Sequence, residues 1–114
     1  SYVEALRRVM PELTPRKIVE MRVHDVTPRL IEALAAAGFT NLSPNEVLEV
    51  AIHDVDLDNL AWFRETLGQD LRLRDLVQFA IHDVKPDDVL RAREAYGPDI
   101  SAADLVDMAI HRWK

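Results

Sequence analysis

Cysteine is absent from the 114 residues of this chain, which excludes disulfides and thiolate metal sites and leaves the redox compartment open. The longest apolar stretches, such as residues 31–39, are too short and too interrupted to span a bilayer, so this segment is not expected to insert into a membrane. No signal peptide or lipidation motif is visible, but Ser1 opens directly inside a repeating pattern. The chain therefore reads as a piece of a longer protein, and its compartment stays unknown. Positive charge is also scarce: 14 Lys and Arg stand against 20 Asp and Glu, a net charge of −6 at pH 7. Nucleic-acid binding draws most of its non-specific affinity from Lys and Arg neutralising phosphates, so the acidic balance counts against that partner. It counts equally against a basic helix lying on a membrane surface. What remains is an ordinary globular mix, 48% hydrophobic and 30% charged, of a length that fits one domain.

The four histidines, His24, His53, His82 and His111, stand 29 residues apart (53 − 24, 82 − 53 and 111 − 82). Aligned on them, three full units follow one another: HDVTPRLIEALAAAGFTNLSPNEVLEVAI, HDVDLDNLAWFRETLGQDLRLRDLVQFAI and HDVKPDDVLRAREAYGPDISAADLVDMAI. A partial unit precedes His24, matching at a spacing one residue shorter through Leu6 and rejoining the common phase at Leu13. A repeat of this period is the signature of a stacked array of small units. The units run over about 1–24, 25–53, 54–82 and 83–114, with the histidines as structural repeat markers.

Each unit carries two helix-start signals. Thr27-Pro28 and Ser43-Pro44 place a hydroxyl at the N-cap and proline at the first helical position, where its missing N–H is no loss. Thr14-Pro15 repeats the second signal; Lys85-Pro86 keeps the proline without the cap, and Asp56 offers the cap without the proline. Gly38, Gly68 and Gly97 fall near the end of each first helix, where a residue with positive φ commonly terminates it. One unit is thus two short helices, roughly 28–37 and 44–53 in the second unit, which gives eight helices for the chain.

Columns of the alignment predict the buried faces. In the first helix Val3, Ile31, Leu60 and Val89 form one apolar column, and Leu6, Leu34, Phe63 and Ala92 another, a single stripe at helical spacing. The second helix is apolar in four columns, Ile18/Val47/Leu76/Leu105, Val19/Leu48/Val77/Val106, Met21/Val50/Phe79/Met108 and Val23/Ile52/Ile81/Ile110. A helix apolar over most of its circumference is expected to be buried on several sides, sandwiched between units. Val26, Val55 and Val84 complete the core, and Trp113 is placed to cover the end of the stack. Isolated pairs of such short helices are marginal in water, so stability must come from contact between units. The predicted fold is all-α: about four tandem two-helix repeats stacked as a short α-solenoid or superhelical bundle.

The text of these units resembles a bacterial helical repeat built on a phrase like G-(Y/F)-x-x-L-(S/T)-x-x-x-L-(V/I)-x-(L/A)-x-(I/V)-H-G-V-T-P. It is carried here by Gly38-Phe39, Leu42-Ser43, Val47-Leu48, Ile52-His53-Asp54-Val55 and Val26-Thr27-Pro28. The resemblance covers nearly the whole chain. Such repeats are appended to antirepressor-type zinc peptidases, the group of the beta-lactam sensor BlaR, and to other bacterial envelope or regulatory proteins. Asp25, Asp54 and Asp83 stand where that family usually has glycine, and Asp tolerates left-handed geometry at some cost. The resemblance implies an accessory, protein-binding module without catalytic activity, since the HExxH motif of zinc peptidases is missing. Residues Leu42-Ser43-Pro44, Val47 and Ala51-Ile52-His53-Asp54 are similar to the opening of a TAL-effector DNA-binding repeat. The unit is shorter than that repeat, though, and the glycines after the variable pair are missing.

His-Asp pairs also occur as metal ligands in HD-type phosphohydrolases. A metal needs its donors about 2.0–2.2 Å away, whereas equivalent residues of stacked helices sit about 8–10 Å apart. Four repeated histidines therefore cannot converge on one ion, and no unit has a second histidine. A histidine closing a helix is better read as bonding free carbonyls or a neighbouring unit. Ser43 and Ser101 occupy N-cap columns, not nucleophile positions, and no cofactor is implied. One column departs from packing logic: Ala5, Ala33, Trp62 and Arg91. Trp62 with Leu90 and Arg91 forms the candidate partner-binding patch, since exposed tryptophan is enriched at interface hot spots; the plainer reading folds Trp62 over a neighbouring helix. The sequence thus points to a non-catalytic interaction or scaffold module whose partner is a protein, a peptide or a second copy. A TAL-like nucleic-acid array and a metal-dependent HD-type hydrolase are the alternatives.

Overall fold

The computed structural model describes residues 1–111; Trp113, the expected cover of the stack's end, lies outside the described residues. Among the described residues there are eight α-helices and no strand. They are α1 (Tyr2–Val9), α2 (Pro15–Val23), α3 (Pro28–Ala36), α4 (Pro44–Ile52), α5 (Leu60–Leu67), α6 (Leu73–Ile81), α7 (Pro86–Tyr96) and α8 (Ala102–Ile110). The starts fall where the cap chemistry places them. Thr14, Thr27, Ser43 and Ser101 each accept a backbone N–H three residues on, and Ser43/Glu46 and Ser101/Asp104 close full capping boxes. Arg72 and Lys85 have no accepting side chain; there Asp75 and Asp88 reach back to the N-cap N–H instead, at 2.9 Å each. Where Asp56 stands without a following proline, its carboxylate accepts from Asp58 N–H and winds a 3-10 turn, Leu57–Asn59, ahead of α5.

The ends are equally regular. His24, His53 and His82 are C-caps, and Asp25, Asp54 and Asp83 follow with φ of 58°, 52° and 56°. Val26 N–H donates to Met21 C=O at 2.8 Å, Val55 to Val50 at 3.1 Å, and Val84 to Phe79 at 2.8 Å, while each aspartate N–H donates to the carbonyl three residues back. This is the Schellman closure, made three times, with the valine folded onto the core residue whose carbonyl it caps. Among the first helices α3 closes the same way, Gly38 N–H donating to Ala35 C=O at 3.0 Å and Phe39 N–H to Leu34 C=O at 3.1 Å, whereas α5 and α7 end differently. Gly68 and Gly97 combine φ of 114° and 104° with ψ of 155° and 166°, a region open in practice to glycine alone.

Helix packing shows the architecture. The odd helices contact one another in order, α1 on α3 and α3 on α5, and so do the even ones, α2 on α4, α4 on α6 and α6 on α8. Two layers of parallel helices run the length of the molecule, with the core of buried Leu, Val, Ile, Met and Phe between them. The radius of gyration is 15.3 Å, with extents of 47 × 23 × 18 Å. A globular chain of similar length would be more compact, at about 13 Å. Shared among the four units read from the sequence, the 47 Å long axis gives about 12 Å to each, a little above the spacing of packed helices. The result is a short, two-layered helical stack.

Between units the contacts recur at the repeat spacing. Arg64 donates to Ala37 C=O at 3.2 Å while its guanidinium lies 4.4 Å from the centre of the Phe39 ring. Arg93, its counterpart in the next unit, donates to the carbonyl of Thr66, the counterpart of Ala37. Each guanidinium thus ties the end of the preceding odd helix to its own. At the first joint Lys17 Nζ donates to Asn45 Oδ1 at 2.8 Å, and the Tyr2 hydroxyl donates to Val26 C=O at 2.6 Å.

Candidate interaction surface

The outer face of the even layer departs from the sequence expectation. Val23, Ile52, Ile81 and Ile110 form an apolar column expected to be buried between units; they are 70%, 50%, 45% and 52% exposed. The reason is angular. With residues advancing about 100° around an α-helix, Val47 (taken as zero), Leu48 and Val50 of α4 face inward. Ile52 lies about 140° round from Val47, beside Asn45 and Glu49 on the solvent side. The same offset holds in α2, α6 and α8. A four-column apolar signature is one column wider than a two-layered stack can bury. The fourth column therefore forms a ladder of exposed β-branched side chains, one per unit.

The ladder's surroundings are polar and mostly acidic. Four residues before each histidine stand Glu20, Glu49, Gln78 and Asp107, and the left-handed aspartates follow the first three histidines. His53 Nε2 lies 3.0 Å from Glu49 Oε2, and His111 Nε2 lies 3.7 Å from Asp107 Oδ1. These two imidazoles therefore lie against carboxylates of their own helices; at the end of α4 the terminal carbonyls beside His53 are already taken by backbone N–H groups. Their part in the joint is played by the backbone. Beside the ladder, each of two junctions between units opens a shallow cleft, one of about 660 Å³ bordered by His24, Asp25, Asp54 and Asp56 and one of about 560 Å³ bordered by Asp54, Asp83 and Lys85. Among the described residues no three His, Asp or Glu side chains gather where one ion would bind them together. No described helix is long and apolar enough to cross a membrane.

The patch drawn from the odd layer is only partly assembled. Trp62 is half-buried, packed on the core with its ring edge-on to Phe63 at 5.4 Å between centroids. Leu90 is 52% exposed, and Arg91 is exposed and paired with Asp88 of its own helix. Trp62 thus offers an edge, with Leu90 as the free apolar side chain. Two features escaped the column reading. The Arg64 and Arg93 braces are visible in the sequence as arginines at one position of consecutive units. The exposed ladder was assigned to the core by periodicity alone.

Compared with protein-family models, curated proteins and solved structures, the chain has no match.

Proposed function

We propose that this chain is a non-catalytic helical-repeat module for protein–protein interaction or scaffolding, serving a bacterial regulatory or envelope protein as the repeat phrase around His53 implies. The observation that carries the reading is the ladder Val23, Ile52, Ile81 and Ile110. Large apolar side chains exposed in an ordered row, one per unit and rimmed by polar groups, mark an interaction site when singly scattered ones would not. Four rungs about 12 Å apart span about 36 Å, the length of a helix of about 24 residues. The partner is accordingly a protein or peptide laid across several units, with its apolar stripe on the rungs. The acidic rim beside the rungs favours partners with flanking Lys or Arg.

Selection of peptides from a displayed library against the chain tests this. Binders carrying an i, i+3, i+4 apolar stripe, lost when Ile52 and Ile81 are both changed to serine, are the expected result. Binders indifferent to that double substitution, or dependent on Trp62 and Leu90 instead, overturn the placement of the site.

A further inference from the structure

Charge is not spread evenly along the ladder, and its order points to what lies there, taking the ladder as the interaction site proposed above. Two positions of each even helix flank the rung on the solvent side. Three residues before the rung stand Glu20, Glu49, Gln78 and Asp107; seven before it stand Arg16, Asn45, Arg74 and Ala103. At about 100° per residue both positions fall within about 60° of the rung. All eight side chains are exposed except that of Glu20, which is half-buried. Read along the stack, the two positions carry no net charge in α2, −1 in α4, +1 in α6 and −1 in α8. That sequence of signs is complementary to its own reverse at the centre, where α4 and α6 exchange places.

The even helices are parallel, and the rungs occupy one position in each, so they stand in a single row at one height. A two-fold axis running along the helices turns this face onto its own copy with the helix order reversed. Helix α4 then lies on α6 of the second copy, and α2 on α8. Rung meets rung, Ile52 on Ile81 and Val23 on Ile110. Glu49 of each copy comes within about one helical turn of Arg74 of the other, and Asp107 within about one turn of Arg16. Glu20 opposite Asp107 is the like-charged pair in this register. The alternative two-fold axis, along the row, lays each helix on its own copy. Glu49 then faces no cation from the helix opposite, and Arg74 faces no carboxylate. The area is sufficient. A face 47 Å long and one nine-residue helix wide, about 13.5 Å, covers about 630 Å² of each copy and about 1,300 Å² in all. Specific interfaces begin at about 1,200 Å², so this one sets a reversible dimer.

We propose that the occupant of the ladder is a second copy of this chain, seated face to face with helix order reversed and held at its centre by Ile52 on Ile81 and Glu49 beside Arg74. The occupant is a copy because the charges of α4 and α6 answer each other when the face is turned over. A two-fold contact uses the same surface on both copies and closes, so association stops at the dimer.

Sedimentation equilibrium of the 114-residue chain up to about 1 mM is the test. The expected result is a monomer–dimer equilibrium with a plateau at dimer, weakened by added salt. Arg74→Glu is expected to weaken dimerisation at least about tenfold with an unchanged helical spectrum, since symmetry repeats the change at two contacts. Glu49→Lys is expected to do the same. Mixing the two variants should restore association as a heterodimer, and carrying both changes in one chain should restore the homodimer to within about threefold. Ile52→Ser with Ile81→Ser, at positions open to solvent in the single chain, is expected to abolish the dimer and leave helicity intact. Growth beyond dimer, or a dimer unmoved by Arg74→Glu or by the serine pair, overturns the proposal. A chain monomeric to about 1 mM that still binds peptides through Ile52 and Ile81 overturns the second copy and leaves the ladder as a site for another chain. A monomeric chain that selects no ladder-dependent peptide overturns both.

Discussion

Three aspartates in left-handed backbone give the repeat a measurable signature. Asp25, Asp54 and Asp83 hold φ between 52° and 58°, each at the position after the C-cap where the helix must reverse. That geometry brings the Cβ of an L-residue against the following carbonyl, which costs about 1–2 kcal/mol for most residues and less for Asp and Asn. Glycine escapes the contact but loses more backbone freedom on folding. Asp54→Gly is therefore expected to stabilise the chain only slightly, by about 0.5 kcal/mol, the strain relieved less the added entropy cost, and to raise Tm by roughly 2 °C for a chain of this size. Asp54→Ala keeps the Cβ and lacks the left-handed tolerance of aspartate, so it is expected to cost about 1 kcal/mol. Asp54→Asn, which removes the charge and keeps the left-handed tolerance, isolates electrostatics and should lie within about 0.5 kcal/mol of the native chain. Because the turns are one unit apart and share no partner, the effects of Asp25→Gly and Asp54→Gly should add within about 0.5 kcal/mol. Urea and thermal unfolding followed by circular dichroism measure all four. A glycine variant less stable than the native chain, or an alanine variant equal to it, refutes the reading that backbone strain is concentrated at this position.

Other expectations follow from the same structure. Leu34→Ala, at a fully buried position, should cost about 2–5 kcal/mol, whereas Ile52→Ser on the exposed ladder should cost within about 0.5 kcal/mol, both read from urea midpoints. Arg64→Met removes the bond to Ala37 C=O and the charge over Phe39, and a loss of about 1–2 kcal/mol is expected; no loss would show the brace to be incidental. Burial raises the Tyr2 hydroxyl above its usual value of 10.0; the Arg22 charge partly offsets this and Asp25 adds to it. A group whose folded pKa is raised contributes stability below its unfolded pKa and loses it as pH climbs, so the stability of the native chain should fall above pH 10. Tyr2→Phe should cost about 0.5–1.5 kcal/mol at neutral pH through the bond lost to Val26 and flatten that alkaline decline. An equally steep decline in the phenylalanine chain would assign it elsewhere.

Much of this architecture was open to inspection in the one-dimensional chain, because a repeat presents the same local decision several times. Threonine or serine before proline, glycine after an apolar stripe and a histidine once per unit mark helix starts and stops through nearest-neighbour chemistry, which needs no fold to operate. Those decisions placed α3 and α4 within a residue or two of where they lie, and marked the start of α2. The aspartates after the histidines likewise take the left-handed turn that sequence assigned them.

What periodicity could not apportion was which apolar columns a neighbour would cover. Val23, Ile52, Ile81 and Ile110 read as core because hydropathy records a side chain's preference and not the presence of a partner. Two layers of helices leave one face of each without a partner, and these residues fall on it. The braces from Arg64 and Arg93 show in the sequence only as a shared arginine position; their role was hidden because their acceptors are backbone carbonyls 27 residues away. Val19 and Leu48 occupy the same column with the same chemistry, and one lies open while the other is buried. Local chemistry determined each helix and turn; burial, which depends on what lies across the joint, was decided by the stack.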